Sequence, residues 1–202
     1  MQTAVSAASA VALENSLPLS ELEQGNLHLS QTRDAALGSV AGLSEAQWNF
    51  QPSPDRWSIA KILEHIVVVQ ERVLAIVRDQ LPAGAPPPPD QNAQLVDAIV
   101  INQFPNRLMK ANAPEFLEPS GDRTIADVRN RLQTNTRRLA ECLETTPDLR
   151  RHVLDAPPLK FISKGEYTVM DGYQWILAAS AHAERHTKQI LEVKANPQFP
   201  AA

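Results

Sequence analysis

The sequence predicts an all-α protein organised as a four-helix bundle. The positions of its 16 prolines are the first indication, because a proline inside a helix removes a backbone hydrogen bond and clashes with the preceding turn. Every proline lies outside four windows of the chain, and each window carries apolar residues at the three- and four-residue spacing of a helix. The windows are Leu19–Ala41, Ser58–Gln80, Thr124–Glu144 and Val169–Ala195. None of them shows the alternation of apolar and polar residues that a half-buried strand requires.

The composition is that of a soluble globular protein, and it excludes several partners. Of the 202 residues, 43% are hydrophobic and 21% are charged, which fits one domain with a proper core. Nineteen basic residues against 23 acidic ones form no dense positive run, so we expect no nucleic-acid partner. No apolar stretch approaches the ~20 residues that span a bilayer, and the N-terminal stretch lacks the basic residues of a secretory signal. We therefore expect no membrane association and a cytoplasmic location, which the single cysteine, Cys142, also fits.

The chain divides into an extension, one domain and a tail. Residues 1–18 are interpreted as an alanine-rich N-terminal extension, residues 19–195 as the bundle domain, and residues 196–202 as a C-terminal tail. The domain contains a proline-rich insertion over residues 81–120, called the crossover segment below, and apolar spacing within it predicts a short helix over Gln91–Phe104. A connection of this length can run back along a bundle ~30 Å tall. The second and third helices are therefore expected to be parallel.

The start of the second helix is well specified. Ser44–Gln47, which follows the first helix, matches a capping box that opens a short turn. Ser58 is placed to cap the second helix, and the apolar stripe of that helix includes His65 two turns in. Glu64 and Glu71 lie off the stripe, so we interpret them as solvated helix carboxylates.

The third helix carries one polar residue in a regular apolar row. Thr124 and Asp127 form a capping-box-like pair at its start. Asn135 interrupts the row, and a buried amide needs a partner. It either bonds a neighbouring helix or faces a polar cavity, and the sequence leaves both open. Cys142 ends the same row and is interpreted as an inert buried thiol.

The fourth helix holds two histidines at a spacing that suits one metal ion. His182 and His186 are four residues apart in an apolar pattern, so both imidazoles leave the same face of the helix ~6 Å apart. Ordinary buried histidines bonded to their neighbours would give the same pattern, but His65 adds a third inward-facing histidine from another helix. We interpret His28 as a boundary residue and His152, which lies in a loop, as exposed.

Three such histidines predict a metal site, because side chains from facing helices can build one in the core of a bundle. Three neutral imidazoles leave at least one coordination position open, which is typical of catalytic sites. A set of nitrogen ligands without thiolates favours Zn, Ni, Co or Fe over Ca or Mg. We therefore expect a divalent transition metal, with zinc and nickel heading the candidates.

Two groups of residues resemble the motifs of the DinB-like superfamily of metal-binding four-helix bundles. They are Trp57-Ser58 followed by His65, and His182 followed by Arg185-His186-x-x-Gln189. The resemblance covers about residues 19–195 and implies an up-down-down-up bundle in which the three histidines are the metal ligands. It also implies supporting roles for matching neighbours, to which we add the polar residue of the third helix; these supporting residues are Trp57, Arg185, Gln189 and Asn135. The enlarged crossover segment departs from the resemblance, and we expect it to cover the site mouth or a subunit contact.

The resemblance implies two enzyme functions, and a third, non-catalytic function competes with them. The first is metal-dependent hydrolysis of a small-molecule substrate, with water activated at the three-histidine site. The second is a transfer or isomerisation reaction in which a low-molecular-weight thiol binds the metal as a thiolate. The third is a non-catalytic bundle that only binds metal. No general base can be assigned from the sequence, and a homodimer is the assembly we expect if the outer faces of the bundle are apolar.

Overall fold

A computed structural model describes residues 17–108 and 113–201 of the chain. Most of these residues are helical, consistent with the predicted all-α class. The predicted N-terminal extension lies outside the described residues except for its last two positions. The elements in the described ranges are α1 Leu19–Ser39, α2 Glu45–Asn49, α3 Ile59–Ala75, α4 Ala93–Gln103, α5 Ile125–Thr145, β1 Val153–Asp155, α6 Pro157–Ile162, β2 Val169–Asp171 and α7 Gly172–Lys194.

The four long helices, α1, α3, α5 and α7, coincide with the four proline-free windows. The caps predicted for α3 and α5 form. The backbone amide of Lys61 donates to Ser58 Oγ at 3.3 Å, and the amide of Asp127 donates to Thr124 Oγ1 at 3.1 Å. These bonds satisfy amides that a helix leaves unpaired in its first turn. The capping box at Ser44–Gln47 is also present and opens α2.

The expectation that the proline-free windows contain no strand is wrong at one place. Val169–Asp171, the start of the fourth window, pairs as β2 with β1 in an antiparallel ribbon, so α7 begins at Gly172. Asp171 ends the strand and caps the helix, because its Oδ1 accepts from the amide of Gln174 at 2.8 Å. Strands of three residues are too short to show a period of two, which explains why the pattern missed them.

The last helix is the centre of the packing. α7 contacts α1, α3 and α4, while α5 contacts α1 and α3. Residues 171–181 are all buried. The apolar core forms two clusters, and α7 contributes residues up to Ala181 to one of them and residues from Ala183 onward to the other. His182 therefore lies where one cluster gives way to the next.

Bonds between the helices identify which ends lie together. The hydroxyl of Tyr173, at the start of α7, donates to the carbonyl of Glu21 at the start of α1, at 2.8 Å. Lys194, at the end of α7, donates to the carbonyl of Ser39 at the end of α1 at 2.8 Å. Two ion pairs join α3 to α5 or to the residues just before it. Glu64 pairs with Arg123, and Glu71, further along α3, pairs with Arg131, further along the chain.

The crossover segment packs onto the bundle at two places. Its predicted short helix is confirmed as α4, which lies against α7 and buries Val96 and Val100 in the core. The segment also contains two 3₁₀ turns, Leu81–Ala83 and Glu115–Leu117, and the second lies against α3. Both contacts bring the segment to the helices that carry the histidines. Among the described residues, no helix combines the length and apolarity needed to cross a membrane.

A buried ion cluster ties the start of α7 to the rest of the fold. Arg150 donates to Asp97 at 2.7 Å, to Asp171 at 2.9 Å and to Glu21 at 3.0 Å, and its guanidinium lies 4.3 Å from the centre of the Tyr173 ring. All three guanidinium nitrogens are used. We call these four charged residues the Arg150 cluster. It joins α1, α4 and the strand that leads into α7.

Candidate metal centre

Three histidine side chains meet between α3 and α7. His65 comes from α3, and His182 and His186 come from successive turns of α7. One ring nitrogen from each lies within 4.8 Å of the others. The ring centroids are 4.9 Å apart for His65 and His182, 4.8 Å for His65 and His186, and 4.3 Å for His182 and His186. The structure thus brings together the three residues that the sequence singled out, and we call them the three-histidine cluster.

Hydrogen bonds fix the tautomers of two of these imidazoles. His65 Nδ1 lies 2.8 Å from the carbonyl oxygen of Leu117, and His186 Nδ1 lies 2.8 Å from Gln189 Oε1. A carbonyl or amide oxygen only accepts, so both Nδ1 atoms must carry the proton. Each ring then presents an unprotonated Nε2. This is the state in which an imidazole binds a metal while its other nitrogen donates to a supporting group.

The orientation of the Gln189 amide is itself set by a neighbour. Arg107 Nη1 donates to the same Oε1 at 3.3 Å. Since a guanidinium has donors only, the oxygen of the amide, and not its nitrogen, must face Arg107. The same oxygen is therefore available to accept from His186, so the bond from Arg107 decides the orientation of the amide.

The third imidazole is not satisfied by the described residues. His182 Nε2 lies 3.2 Å from His65 Nε2, so two ring nitrogens face each other without an intervening oxygen from the protein. His182 Nδ1 is buried and finds no hydrogen-bond partner among the residues the structure describes. An ordinary buried histidine uses its nitrogens in hydrogen bonds. A neutral His182 can donate from Nε2 to the bare Nε2 of His65, which still leaves His182 Nδ1 without a partner. Three imidazoles with ring nitrogens within 4.8 Å of one another are also the donor set of a transition-metal site, so the residues fit a metal ion.

Burial keeps the cluster uncharged. Desolvation lowers the pKa of His65, lowers the pKa of His182 well below its usual value of 6.5, and lowers the pKa of His186 to about 3. Repulsion from the neighbouring histidines adds to the effect at His182. All three rings are therefore neutral at ordinary pH. The neutral ring is the form that can coordinate a metal.

Cations border the cluster on the α7 side. Arg185 and Arg107 both lower the pKa of His186 electrostatically, after the larger effect of burial. Arg107 also forms a two-bond ion pair with Glu192, at 3.1 and 2.9 Å. Arg185 donates to the backbone carbonyl of Asn106 in the crossover segment. The predicted supporting residue Arg185 thus lies at the rim of the cluster and bonds the segment that follows α4.

Two other predicted supporting residues lie in different places. The half-buried Trp57 packs on the cluster, with its ring 4.9 Å from His65 and stacked 6.5 Å from His186. Asn135 takes the first of its two alternatives, because its Nδ2 donates to the carbonyl of Val67 in α3 at 3.4 Å. That bond joins α5 to α3 and leads away from the three-histidine cluster.

The interpretation of Glu64 as a solvated carboxylate is wrong. Its side chain is only 4% exposed, and it accepts from Arg123 at 3.1 Å, from Ser120 at 3.0 Å and from the amide of Gly121 at 2.7 Å. Glu64 lies off the apolar stripe of α3, as predicted, but the end of the crossover segment covers it. By contrast, Glu71 is 35% exposed and pairs with Arg131, closer to the expected solvated face.

The remaining histidines of the described chain, His28 and His152, lie away from the candidate site. His28 is partly exposed, and His152 is half-buried rather than exposed, with its Nδ1 bonded to the carbonyl of Gly84 at 3.0 Å. Both lie outside the three-histidine cluster. Sequence analysis missed Leu117 and Arg107 as supports. A backbone carbonyl carries no residue-type signal, and a single arginine in a proline-rich segment has no periodic context.

Comparison with known proteins agrees with the family resemblance found in the sequence. The chain is 25% identical over 173 residues to YuaE, an uncharacterized protein of Bacillus subtilis (strain 168), and the match covers 82% of this chain and 94% of that protein. No solved structure matches the chain significantly. The family model of the DinB superfamily matches residues 28–190, a range that includes α3 and α5, parts of α1 and α7, and all three clustered histidines. The chain belongs to the DinB superfamily.

Proposed function

We propose that this protein binds a divalent transition metal, zinc or nickel, through His65, His182 and His186. One observation carries the proposal: two of the rings are held with a bare Nε2 by bonds at their Nδ1 atoms, and these nitrogens converge on the third ring. Three nitrogen ligands match the preferences of these metals. When bound in such a site, the metal supplies Lewis acidity and lowers the pKa of a coordinated water toward ~7.

The activity we propose is hydrolysis of a small-molecule substrate. Three protein ligands leave room for a water or substrate, which separates catalytic sites from closed structural ones. The chain's own contribution is to hold the ring planes, through Leu117 and Gln189, and to limit solvent with the Trp57 indole. Trp57 is partly exposed and packs against His65, so it lies between the cluster and solvent on that side.

Metal content and turnover together test this proposal. Untagged wild-type protein should carry near-stoichiometric metal by elemental analysis, and His65→Ala, His182→Ala and His186→Ala should each lose it. His152→Ala, which removes a histidine outside the cluster, should keep it. Loaded wild-type protein should hydrolyse activated esters or amides. A folded wild type that takes up no metal on titration refutes the site, whereas metal uptake without turnover supports a binding protein instead.

A thiol-dependent transfer is the second candidate, and the cations beside His186 favour it. Arg107 and Arg185 both act on that ring as positive charges. Positive neighbours and metal ions lower the pKa of a thiol, so this side of the cluster suits an anionic low-molecular-weight thiolate. Turnover that requires an added thiol would replace the hydrolase proposal with this one.

We also propose that the bundle is wound up-down-down-up. The bonds of Tyr173 and Lys194 support a parallel pair of α1 and α7, since they join like ends of these helices. The ion pairs of Glu64 and Glu71 support a parallel pair of α3 and α5 in the same way. Such a winding needs one long connection between the second and third helices, which the crossover segment provides.

A further inference from the structure

The crossover segment supports two of the clustered histidines, one on each helix of the site. Leu117 supplies the carbonyl that fixes His65, and Arg107 donates to the Gln189 amide that fixes His186. These two residues lie on either side of the part of the segment that the structure does not describe, and they reach opposite helices of the site. The segment therefore contributes to the state of the ligands and not only to the length of the connection.

Arg107 sets the orientation of the Gln189 amide, because a guanidinium can donate hydrogen bonds but cannot accept them. A glutamine amide can rotate by half a turn and exchange its oxygen for its nitrogen with little change in shape. If the nitrogen faced His186, that Nδ1 would have to accept, and the proton would move to Nε2. A guanidinium facing the amide excludes this orientation because it would place donors against donors. Glu192 in turn holds the guanidinium in place with two bonds, at 3.1 and 2.9 Å.

We propose that Arg107 is a positioning residue that locks the His186 tautomer through Gln189 and so keeps its Nε2 free to bind a metal. The inference rests on the proposed metal site for its importance, but the tautomer itself belongs to the metal-free protein. In the metal-free protein Arg107 bonds the Gln189 amide and not the His186 ring. Arg107 also acts on the His186 ring as a positive charge, and only the effect of its bond to Gln189 disappears when the amide is removed.

The first test measures the tautomer directly. Long-range nitrogen–proton NMR of metal-free protein labelled with ¹⁵N distinguishes protonated Nδ1 from protonated Nε2. Wild type should show His186 protonated at Nδ1. Arg107→Met should show a mixture of both tautomers, and Arg107→Lys, which keeps a donor-only cation, should restore the wild-type signal. A wild-type spectrum in Arg107→Met overturns the proposal. A protein that never takes up metal refutes the proposed function but still gives this readout.

The second test measures affinity by competition between the protein and a chelator for Co²⁺. Arg107→Met should weaken binding about 10-fold, the lower end of the ~10–100-fold loss typical when a group that orients a metal ligand is removed. Arg56→Met is the matched control, because Arg56 also faces Glu192, at 3.7 Å, but has no bond to Gln189. An equal loss in Arg56→Met would mean that charge alone matters and would overturn the proposal.

A double-mutant cycle tests the route. In a Gln189→Met background the amide is gone, so adding Arg107→Met should change Co²⁺ affinity by less than about 2-fold, since residues acting through one shared group are not additive. A full additional loss would show that Arg107 acts on the metal by another path. Circular dichroism of each variant confirms that the helices remain, which the position of Arg107 on the surface of the fold makes the expected result.

Discussion

The Arg150 cluster lies at the start of α7, and the three-histidine cluster lies about three helical turns further along the same helix. The two clusters satisfy their polar groups in opposite ways. In the Arg150 cluster every guanidinium nitrogen donates, and the carboxylates come from three different parts of the fold. In the three-histidine cluster the rings are uncharged, two nitrogens face each other, and one buried nitrogen has no partner within the described chain. One cluster is saturated by the protein, and the other is not.

The difference fits a structural role for the Arg150 cluster and the metal-binding role that we propose for the three-histidine cluster. Buried polar groups are normally satisfied, because each unpaired group costs roughly 1–3 kcal/mol. His182 Nδ1 bears this cost, as do Gln70 Oε1 and Trp175 Nε1, so the convergence of three rings distinguishes the three-histidine cluster more than the unpaired atom does. The Arg150 cluster fastens α1, α4 and β2 together. The three-histidine cluster joins only two helices, and one ring nitrogen from each histidine lies within 4.8 Å of the others.

The largest effect should come from breaking the saturated cluster. Arg150→Met leaves the carboxylates of Asp97 and Asp171, which are 13% and 5% exposed, without their cation. Removing one partner of a buried ion pair typically costs ~3–5 kcal/mol. Urea denaturation should show a loss of that size in the free energy of unfolding. Arg151→Met is the neighbouring control; Arg151 is 63% exposed and pairs with Asp148, so its loss should cost at most about 1 kcal/mol.

The cost of Arg150→Met should also depend on pH. Burial raises the pKa of Asp171 to about 6 even beside Arg150, and without the guanidinium that pKa rises further. A carboxyl whose pKa is higher in the folded state favours folding while it is protonated and loses that contribution as the pH rises through the folded-state pKa. The gap between wild type and variant should therefore widen from pH 5 to pH 8. A gap that narrows over this range would contradict the assignment.

Metal should stabilise the second cluster by the amount that mass action allows. If the ion binds only the folded chain, free metal at 100 times its dissociation constant adds about 2.7 kcal/mol to the free energy of unfolding. Thermal denaturation with and without Zn²⁺ or Ni²⁺ measures this as a rise in Tm. His182→Ala should abolish the rise and His152→Ala should retain it. An equal rise in both variants would place the ion elsewhere on the chain.

Glu64 offers an intermediate case, in which one carboxylate is saturated by the crossover segment. Glu64→Gln keeps the shape but removes the charge that holds Arg123 and turns a donor toward the amide of Gly121 or toward Ser120. We expect a loss of ~1–3 kcal/mol in the free energy of unfolding by urea denaturation. Glu71→Gln, at a more exposed ion pair, should cost only ~0–1 kcal/mol. Equal losses would mean that burial by the segment contributes nothing.

The same contacts explain which features of the protein the sequence could predict and which it could not. Apolar residues at helical spacing located the long helices and placed the three histidines on their buried faces. Cap residues located the starts of α3 and α5. The supports of the cluster come from the crossover segment, where Leu117 acts through its backbone and Arg107 acts through Gln189. Neither contact depends on a local pattern. The burial of Glu64 depends on the same distant segment, and position on a helix face alone gave the opposite answer.

The smallest effect should be the most informative. His182→Leu removes the buried nitrogen that has no partner and replaces the ring with an apolar side chain of similar size, so the gain and the loss nearly cancel. In metal-free protein we expect a change within about 1 kcal/mol in the free energy of unfolding. His65→Leu is the matched comparison, because it leaves the carbonyl of Leu117 without its donor and should cost more. A loss in His182→Leu as large as that in Arg150→Met would show that the ring is a structural element. A near-zero change, with metal binding lost, would show that α7 carries a residue kept for the ion and not for the fold.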